Sequence, residues 1–310
     1  MLFFLSPLAI FDGVEIFMTE SSVIAHIFGG LGNQLFCYAA AKRLAIKNNV
    51  PLKLDITSGF SHDRYKREYL LDRFNIQADT ASASDSFVDR LGPFKRKLLF
   101  HFNRLLPFRF RTYLFEETPA FDQRLLEYKV RRRTYLSGYW QSDLYFRDIE
   151  DVLRRELVIT DPISPESQAM AEMMRNSESV SIHVRSYSEV PAEHGRIILK
   201  SDYYNRGTKS IAERVHDPHY FCFSDDPVWL KQNLRLPYPM TIVECNNGKG
   251  YDGAVEDLWL MSRCRHHIIA NSTFSWWGAW LNSSREKTVV MPRTDYLNSP
   301  GLNVSGWNQI

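Results

Sequence analysis

The fold of this chain is decided by residues 266–282, which read HHIIANSTFSWWGAWLN. The apolar run 268–270 has the length and branching of a buried strand, and an aromatic helix begins after the small hydroxyl residues that follow it. Ser272, Thr273 and Ser275 should therefore lie beside free backbone N–H groups at a helix N-terminus, a position suited to phosphate. Ordinary capping of the helix by a hydroxyl side chain is the alternative interpretation.

Upstream of this stretch, predicted helices and strands alternate. The helices are 166–175, 203–215, 227–233 and 254–264, and the strands that follow them are 180–184, 220–224, 241–243 and 268–270. The helix within 266–282 leads in turn to strand 288–291. Such alternation is typical of a doubly wound parallel sheet in an α/β fold.

A polar, proline-containing stretch at residues 160–166 favours a domain boundary. We predict an N-terminal domain over residues 18–160 and a C-terminal Rossmann-like domain over residues 161–310, with the extreme C-terminus packing back on the first domain. Residues 1–17 contain only a short apolar run and are expected to be an extension without a structural role, with Met18 as the natural start.

Composition narrows the class of protein. A length of 310 residues, 44% hydrophobic residues and 24% charged residues are typical of a folded globular chain with one large or two ordinary domains. The net charge of +2 argues against a general nucleic-acid binder. The four cysteines have no metal-type spacing, and we expect reduced core residues of a cytoplasmic protein: Cys37, Cys222, Cys245 and Cys264.

A second glycine-containing turn lies near the start of the chain. Predicted strand 23–28 is followed by the turn GGLGNQ at 29–34 and then by a helix. The spacing is not that of the dinucleotide-binding fingerprint. Gly30 and Gly32 would allow a ligand to approach the backbone, and Asn33 and Gln34 would supply neutral hydrogen bonds to it. A purely structural turn is equally compatible with these residues.

Polar residues follow several strands of the predicted C-terminal sheet. Because ligands bind at the carboxyl ends of parallel strands, these residues should converge on one edge. One arginine, several hydroxyl groups, helix N-termini and carboxylates together favour binding of a nucleotide without a P-loop. They are His183, Arg185, Ser224, Asp225, Asp226, Glu244, Asn271, Ser272, Thr273, Phe274 and Ser275.

Two further stretches suggest binding surfaces. The sequence GYWQS at 138–142 ends a predicted strand, and its aromatic and amide side chains suit the rim of a sugar site, although core aromatics would look the same. Residues 95–111 combine six basic residues with phenylalanine and leucine. This stretch is either a solvated helix face or a peripheral contact with an anionic membrane surface.

Together these motifs resemble the family 11 glycosyltransferases, the α1,2-fucosyltransferases. The resemblance runs over most of residues 23–285 and rests on GGLGNQLF at 29–36, GYWQ at 138–141, HVR at 183–185, FSDD at 223–226, and DLWLMS at 257–262 continuing into IANSTFSWWG at 269–278. It implies a glycosyltransferase-B type fold, in which two Rossmann-like domains with parallel sheets enclose a cleft. The N-terminal domain would hold the acceptor and the C-terminal domain would hold GDP-fucose.

The resemblance also implies the reaction. L-Fucose would pass from GDP-β-L-fucose to the 2-hydroxyl of a terminal galactose with inversion and without a metal. The acceptor would be an oligosaccharide or a lipid-linked glycan such as an O-antigen repeat, which would give residues 95–111 a reason to touch the inner face of a membrane. Arg185 would hold the β-phosphate, His183 the nucleotide, Asp225 or Asp226 the guanosine, and the hydroxyls of 272–275 the phosphates.

The chain departs from the family pattern directly after Arg185. The family usually continues with Arg-Gly-Asp-Tyr, whereas SYSE stands at 186–189 here. By similarity with related α1,6-fucosyltransferases, Glu193 is the leading candidate for the base, with Glu189, Asp225 and His194 as alternatives, and Asn33 is expected to act in the catalytic set. Two other functions stay open: fucosyl transfer with another linkage (1,6 or O-linked to protein), and a non-catalytic sugar- or nucleotide-binding module.

Overall fold

The computed structural model describes residues 21–87, 91–186, 198–293 and 300–310. Within them, the first sheet is built from β1 (Val23–His26), β2 (Leu52–Asp55), β3 (Asp79–Thr80), β4 (Tyr113–Phe115) and β5 (Thr134–Ser137). Its order is β3-β2-β1-β5-β4, and every pairing is parallel. The α-helices in the described residues of this half are α1 (Leu31–Asn48), α2 (Gly92–Leu105) and α3 (Glu150–Glu156).

The second sheet is also parallel throughout. Its described strands are β6 (Glu178–Val184), β7 (Pro218–Ser224), β8 (Met240–Ile242), β9 (His266–Ile268), β10 (Val289–Met291) and β11 (Asn308–Gln309), in the order β11-β10-β9-β6-β7-β8. The helices of this half are α4 (Pro165–Arg175), α5 (Ser201–Ala212), α6 (Pro227–Asn233), α7 (Gly250–Arg263) and α8 (Thr273–Leu281). The predicted alternation of helices and strands is confirmed.

An aromatic seam joins the two halves. The Phe36 ring on α1 lies 4.6 Å from the Trp276 ring and 5.0 Å from the Trp277 ring on α8, measured between centroids. Trp277 also stacks on Phe146, at 5.6 Å. All four rings are almost completely buried in one hydrophobic cluster that includes residues of both halves. Aromatic pairs of this kind add to the stabilisation from burial, so α8 is a packing element of the first half as well as the second.

Most predicted elements differ from the observed ones by a few residues at their ends. Strand β9 begins at His266 rather than at 268, although Ile269 still donates its N–H to Val290 O at 2.9 Å. Between residues 61 and 130, for which the sequence analysis assigned no helix or strand, the structure has β3, α2 and the edge strand β4. The predicted domain boundary at 160 stays a prediction. The shared hydrophobic cluster contains residues from both sides of it.

All four cysteines are free thiols, and Cys37, Cys222 and Cys264 are buried as expected. The predicted extension 1–17 and Met18 lie outside the described residues. Among the helices of the described ranges, none combines the length and the apolar character needed to cross a membrane.

Candidate active site

A cleft of about 660 Å³ lies between the carboxyl ends of the two sheets. The walls combine aromatic rings with few charged groups, which is typical of a site for a polar small molecule. The first half contributes Gly30, Leu31, Gly32, Asn33, Tyr65, Arg67, Leu70, Glu116, Pro119, Tyr139 and Gln141. The second half contributes His183, Arg185, Phe223, Ser224, Asp225, Tyr251, Ala254, Asp257, Ser272, Thr273 and Phe274.

Arg185 and Asp225 form the main ion pair of the second wall. Arg185 Nη1 donates to Asp225 Oδ2 at 2.6 Å, and the Ser186 N–H donates to Asp225 Oδ1 at 2.7 Å. Burial alone would raise the pKa of Asp225, but Arg185 and the Ser186 N–H outweigh it and hold the pKa below the usual value. The carboxylate is therefore ionised and keeps the guanidinium oriented at the cleft wall.

His183 enters the same wall as a neutral side chain. Burial lowers the pKa of His183 to about 4, with the nearby Arg185 charge acting in the same direction and Asp225 against it. The side chain is buried, and its Nδ1 has no hydrogen-bond partner among the described residues. A ring nitrogen without a partner on a cleft wall can form a hydrogen bond with a ligand.

Two helix N-termini meet at the cleft. A Cβ on Gly32 of α1 would lie 2.5 Å from the Thr273 carbonyl carbon and 2.6 Å from the Phe274 nitrogen, so only glycine allows α1 to approach α8. A Cβ on Gly30 would meet nothing within 4 Å. The two predicted glycines therefore have different roles. Gly32 permits the contact between α1 and α8, and Gly30 leaves open space at the cleft wall.

Asn33 connects the two halves across this contact. Its Oδ1 accepts hydrogen bonds from Thr273 Oγ1 at 3.0 Å and from Gln141 Nε2 at 2.9 Å. The neighbouring Gln34 is completely buried and bonds the backbone of Gly29, Glu68 and Leu70. Asn33 thus lies on the cleft wall, whereas Gln34, which was expected to face a ligand beside it, bonds the backbone behind the glycine turn.

Helix α8 is aligned so that its positive end faces the cleft. Ser272 caps the N-terminus by accepting the Phe274 N–H at 3.3 Å. At the other end, Lys287 donates to Ala279 O at 2.8 Å, and Arg154 donates to Trp280 O at 2.9 Å. Cations at the C-terminus and a cleft at the N-terminus match the helix dipole, and anions are favoured at this position.

Four residues of the predicted set do not line the cleft, and here the structure differs from the prediction: Asp226, Glu244, Asn271 and Ser275. Glu244 is exposed and accepts a hydrogen bond from Lys231 Nζ at 2.8 Å. The Ser275 hydroxyl is buried and closes the turn by accepting the Ala270 N–H at 3.2 Å. Asp226 caps α6 by accepting the Trp229 N–H at 2.8 Å, because a carboxylate at that position satisfies the free helix N–H groups. Asn271 is completely buried in the turn between β9 and α8. Glu189 and Glu193 lie outside the described residues.

Five polar cleft residues were not predicted from the sequence: Tyr65, Arg67, Glu116, Tyr251 and Asp257. Burial raises the pKa of Asp257 to about 6, and its Oδ1 accepts from Asn246 Nδ2 at 2.8 Å. Tyr251 donates to Lys66 O at 3.0 Å and so ties α7 to the loop that carries Arg67. Position at the end of a strand in the predicted C-terminal sheet does not identify them, because none of these residues lies there.

Comparison with known proteins decides the family. The family model described as glycosyl transferase family 11 matches residues 22–303. The chain belongs to glycosyl transferase family 11. Membership, together with two parallel α/β sheets that face one cleft, confirms the predicted glycosyltransferase-B type fold.

The relatives of this family 11 chain include bacterial and animal enzymes. An alpha-1,2-colitosyltransferase of Escherichia coli is 29% identical over 290 residues, covering 91% of this chain and 95% of the relative. The O-antigen biosynthesis glycosyltransferase WbnK of Escherichia coli is 27% identical, covering 90% of this chain and 97% of its own length. Galactoside alpha-(1,2)-fucosyltransferase 1 of Rattus norvegicus is 25% identical over 47% of this chain and 41% of its own.

The chain also aligns with a solved structure. NodZ alpha-1,6-fucosyltransferase, soaked with GDP-fucose, aligns with a TM-score of 0.48 and 15% identity, covering 85% of this chain and 93% of that chain.

Proposed function

We propose that the enzyme transfers L-fucose from GDP-β-L-fucose to the 2-hydroxyl of a terminal galactoside, with inversion at the anomeric carbon and without a metal. The observation that carries this proposal is the position of Arg185 and the α8 N-terminus on one wall of the cleft, opposite aromatic and amide groups of the first half. The α-1,2 linkage is supported by the names of the colitosyl and rat fucosyl relatives.

The groups on the second wall suit the departure of GDP. When the bond between the anomeric carbon and the β-phosphate oxygen breaks, negative charge grows on the diphosphate. The Arg185 guanidinium and the positive N-terminal end of α8 would stabilise that charge where it develops, which is the task a metal performs in other transferases. His183, neutral and with an unpartnered Nδ1, would accept a hydrogen bond from the nucleotide or its ribose.

The first wall suits a sugar acceptor. Tyr139 lies on the wall with its ring stacked on Phe28 at 4.4 Å, so the ring is held rigid. Gln141 is fixed by its hydrogen bond to Asn33. A rigid aromatic face packs against sugar C–H groups, and the amide bonds hydroxyl groups, so we assign the galactoside to this side of the cleft.

A second candidate is colitosyl transfer, which the similarity to the Escherichia coli colitosyltransferase favours. Colitose is fucose without its 3-hydroxyl group. A site that hydrogen-bonds this hydroxyl rejects the deoxy sugar strongly, whereas an apolar pocket discriminates weakly against the added hydroxyl. Relative rates with the two donors therefore distinguish the candidates.

The decisive experiment offers GDP-fucose and GDP-colitose to the purified protein with a panel of β-galactoside acceptors, and determines product linkage by NMR. An α1,2-linked fucoside formed equally well in EDTA supports the proposal. A colitosyl product supports the second candidate. A fucoside that is 1,6-linked or attached to protein would contradict the proposed α1,2 linkage. Tight GDP binding without transfer from either donor would identify a non-catalytic module instead.

We also propose that α2 rests on an anionic membrane surface that carries a lipid-linked acceptor. The inner face of α2 is tied to the first sheet, since Arg96 Nε donates to Tyr113 Oη at 3.0 Å and Asn103 Oδ1 accepts the Tyr113 N–H at 3.0 Å. The outer face exposes an apolar stripe at helical spacing: Phe94, Leu98, Phe102 and Leu105, the last 82% exposed.

The charges beside this stripe favour lipid over a second copy of the chain. Lys97 and Arg104 are exposed next to the apolar residues. Insertion of the apolar stripe at the headgroup level would bring these cations to anionic lipid, whereas two copies docked stripe to stripe would bring like charges together.

Vesicle sedimentation tests the membrane proposal. The protein should bind vesicles that contain phosphatidylglycerol and not purely zwitterionic ones. Binding should fall at least about tenfold in Phe94→Ser/Leu105→Ser and in Lys97→Glu/Arg104→Glu, because each removes one of the two contributions. Lys209→Glu on α5 is the matched control for a change of charge. Unchanged vesicle binding in both variants would contradict the membrane proposal. So would a dimer of the wild type that is lost in Phe94→Ser/Leu105→Ser.

A further inference from the structure

Glu116 lies on the first wall of the cleft, the side to which the galactoside acceptor is assigned. It directly follows β4, and its N–H donates to Ser137 O at 3.0 Å, so the residue lies at the carboxyl edge of the first sheet. Its side chain is partly buried and lines the cleft. Ligands of parallel sheets bind at this edge.

The backbone around Gly138 is shaped to hold this carboxylate. Glu116 Oε2 accepts the Tyr139 N–H and Oε1 accepts the Trp140 N–H, both at 3.0 Å. Trp140 has a φ of 54°, an unusual conformation for a residue with a bulky side chain. Gly138 has a φ of 151°, and a Cβ there would lie 2.5 Å from the Glu116 Cβ. Conformations of this kind are retained where the surrounding structure requires them, and they cluster at active sites.

The other described carboxylates on the cleft wall belong to the second half and have partners there. Asp225 is paired with Arg185, and Asp257 accepts from Asn246. Glu116 is the acid that the first half contributes to the described wall. An inverting reaction needs its base on the face of the sugar opposite the leaving group, and the diphosphate is assigned to the second wall.

We propose that Glu116 is the general base that deprotonates the acceptor hydroxyl; this rests on the proposed transfer reaction. The galactoside 2-hydroxyl gives its proton to Glu116 as its oxygen forms the bond to the anomeric carbon. The bond from that carbon to the β-phosphate oxygen breaks, and GDP leaves with the electron pair. Nothing is oxidised or reduced, and the protonated Glu116 returns its proton to water after product release.

The electrostatic environment agrees with this role. Burial raises the pKa of Glu116, and the Tyr139 and Trp140 N–H groups oppose the rise only in part. A raised pKa makes the carboxylate a stronger base. The titratable groups that sense its charge are Cys37, Tyr139 and Tyr145, and burial raises the pKa of each of them. None of them therefore titrates in the acid range in which Glu116 would.

The experiment compares Glu116→Gln with the wild type, using whichever donor the wild type transfers. We expect kcat to fall at least about 100-fold while the affinity for GDP, measured by calorimetry, changes less than about threefold. Wild-type kcat should fall as the pH is lowered through the pKa of Glu116, because the base becomes protonated. The residual activity of Glu116→Gln should lack this acid limb.

Glu117→Gln is the matched control, since Glu117 is the adjacent, exposed acid and pairs with Arg111 and Arg124 away from the cleft wall. It should leave kcat unchanged. If Glu116→Gln keeps kcat within about threefold, or keeps the acid limb while Glu193→Gln loses it, Glu116 is not the base. A wild type that transfers neither donor sugar would instead overturn the proposed reaction, and the role of Glu116 with it.

Discussion

At the scale of single residues, the cleft separates side chains that face a ligand from those that hold the wall. Arg185 uses Nη1 for Asp225, and this bond orients the planar guanidinium at the wall. Ser275 and Asp226 are equally polar, but their oxygens accept backbone N–H groups within a turn and at a helix start. A substitution at Arg185 should thus act on the chemistry, whereas one at Ser275 or Asp226 should act on stability.

Arg185→Lys tests this distinction. Lysine keeps the charge but cannot bond Asp225 and a phosphate with one rigid fork, so kcat should fall on the order of 100-fold to 1000-fold. Initial rates at saturating donor measure the effect. Arg206→Lys on α5, where an exposed arginine pairs with Asp202, is the control and should be silent. A kcat near the wild-type value would remove Arg185 from the charge-stabilising role.

At the scale of elements, the site depends on the meeting of α1 and α8. The two helices approach closely because Gly32 has no side chain, and Thr273 and Asn33 then bond across the contact. The N-terminus of α8 therefore stays aimed at the cleft through packing on a helix that lies some 240 residues away in sequence.

Paired substitutions of the two glycines test this contact. Gly32→Ala should destabilise the fold by about 1–3 kcal/mol and impair transfer, because the added methyl group meets α8 backbone. Gly30→Ala should cost less than about 1 kcal/mol, since a Cβ there meets nothing. Chemical denaturation and initial rates measure both. Equal stability losses in the two variants would show that the contact does not depend on Gly32.

At the scale of the whole molecule, the two halves share a core and hold buried neutral histidines. His26 lies in the first sheet, and His183 and His267 lie in the second. Burial lowers the pKa of His26 and of His183 to about 4 and that of His267 well below its usual value. Such a histidine takes up a proton more readily in the unfolded chain, so its contribution to stability is complete above pH ~6.5 and is lost as the pH falls toward the folded value.

His26→Gln measures one of these contributions. Between pH 6.5 and about 4, the unfolding free energy of the wild type should depend on pH more steeply than that of the variant, by up to about 1.4 kcal/mol per pH unit. The difference between the two proteins is the relevant quantity, because Asp257 and Glu116, whose pKa values are raised, act in the opposite direction. His101→Gln on the exposed face of α2 is the control for the substitution itself. Identical slopes for His26→Gln and the wild type would contradict the assignment.

The amino-acid sequence by itself determined the class of fold, the position of most elements in the second half and the family. Helix α6 was predicted with the bounds that the structure gives it. These features follow from hydrophobic period, turn residues and caps, which are properties of neighbouring residues. The basic and apolar stretch 95–111 was also visible, but not the direction in which its apolar side chains point.

Only the tertiary structure decided which polar side chains reach the cleft. The contact with α8 explains Gly32, and the backbone of 138–140 explains the position of Glu116. The apolar face of α2 points outward because two hydrogen bonds fix its opposite face to Tyr113 of β4. Each of these depends on segments that are distant in the chain, and local periodicity carries no information about such contacts. Residues 266–282 show the same division. Thr273 and Ser275 both carry a hydroxyl group, but Thr273 lines the cleft, whereas Ser275 points inward from the helix and accepts the Ala270 N–H.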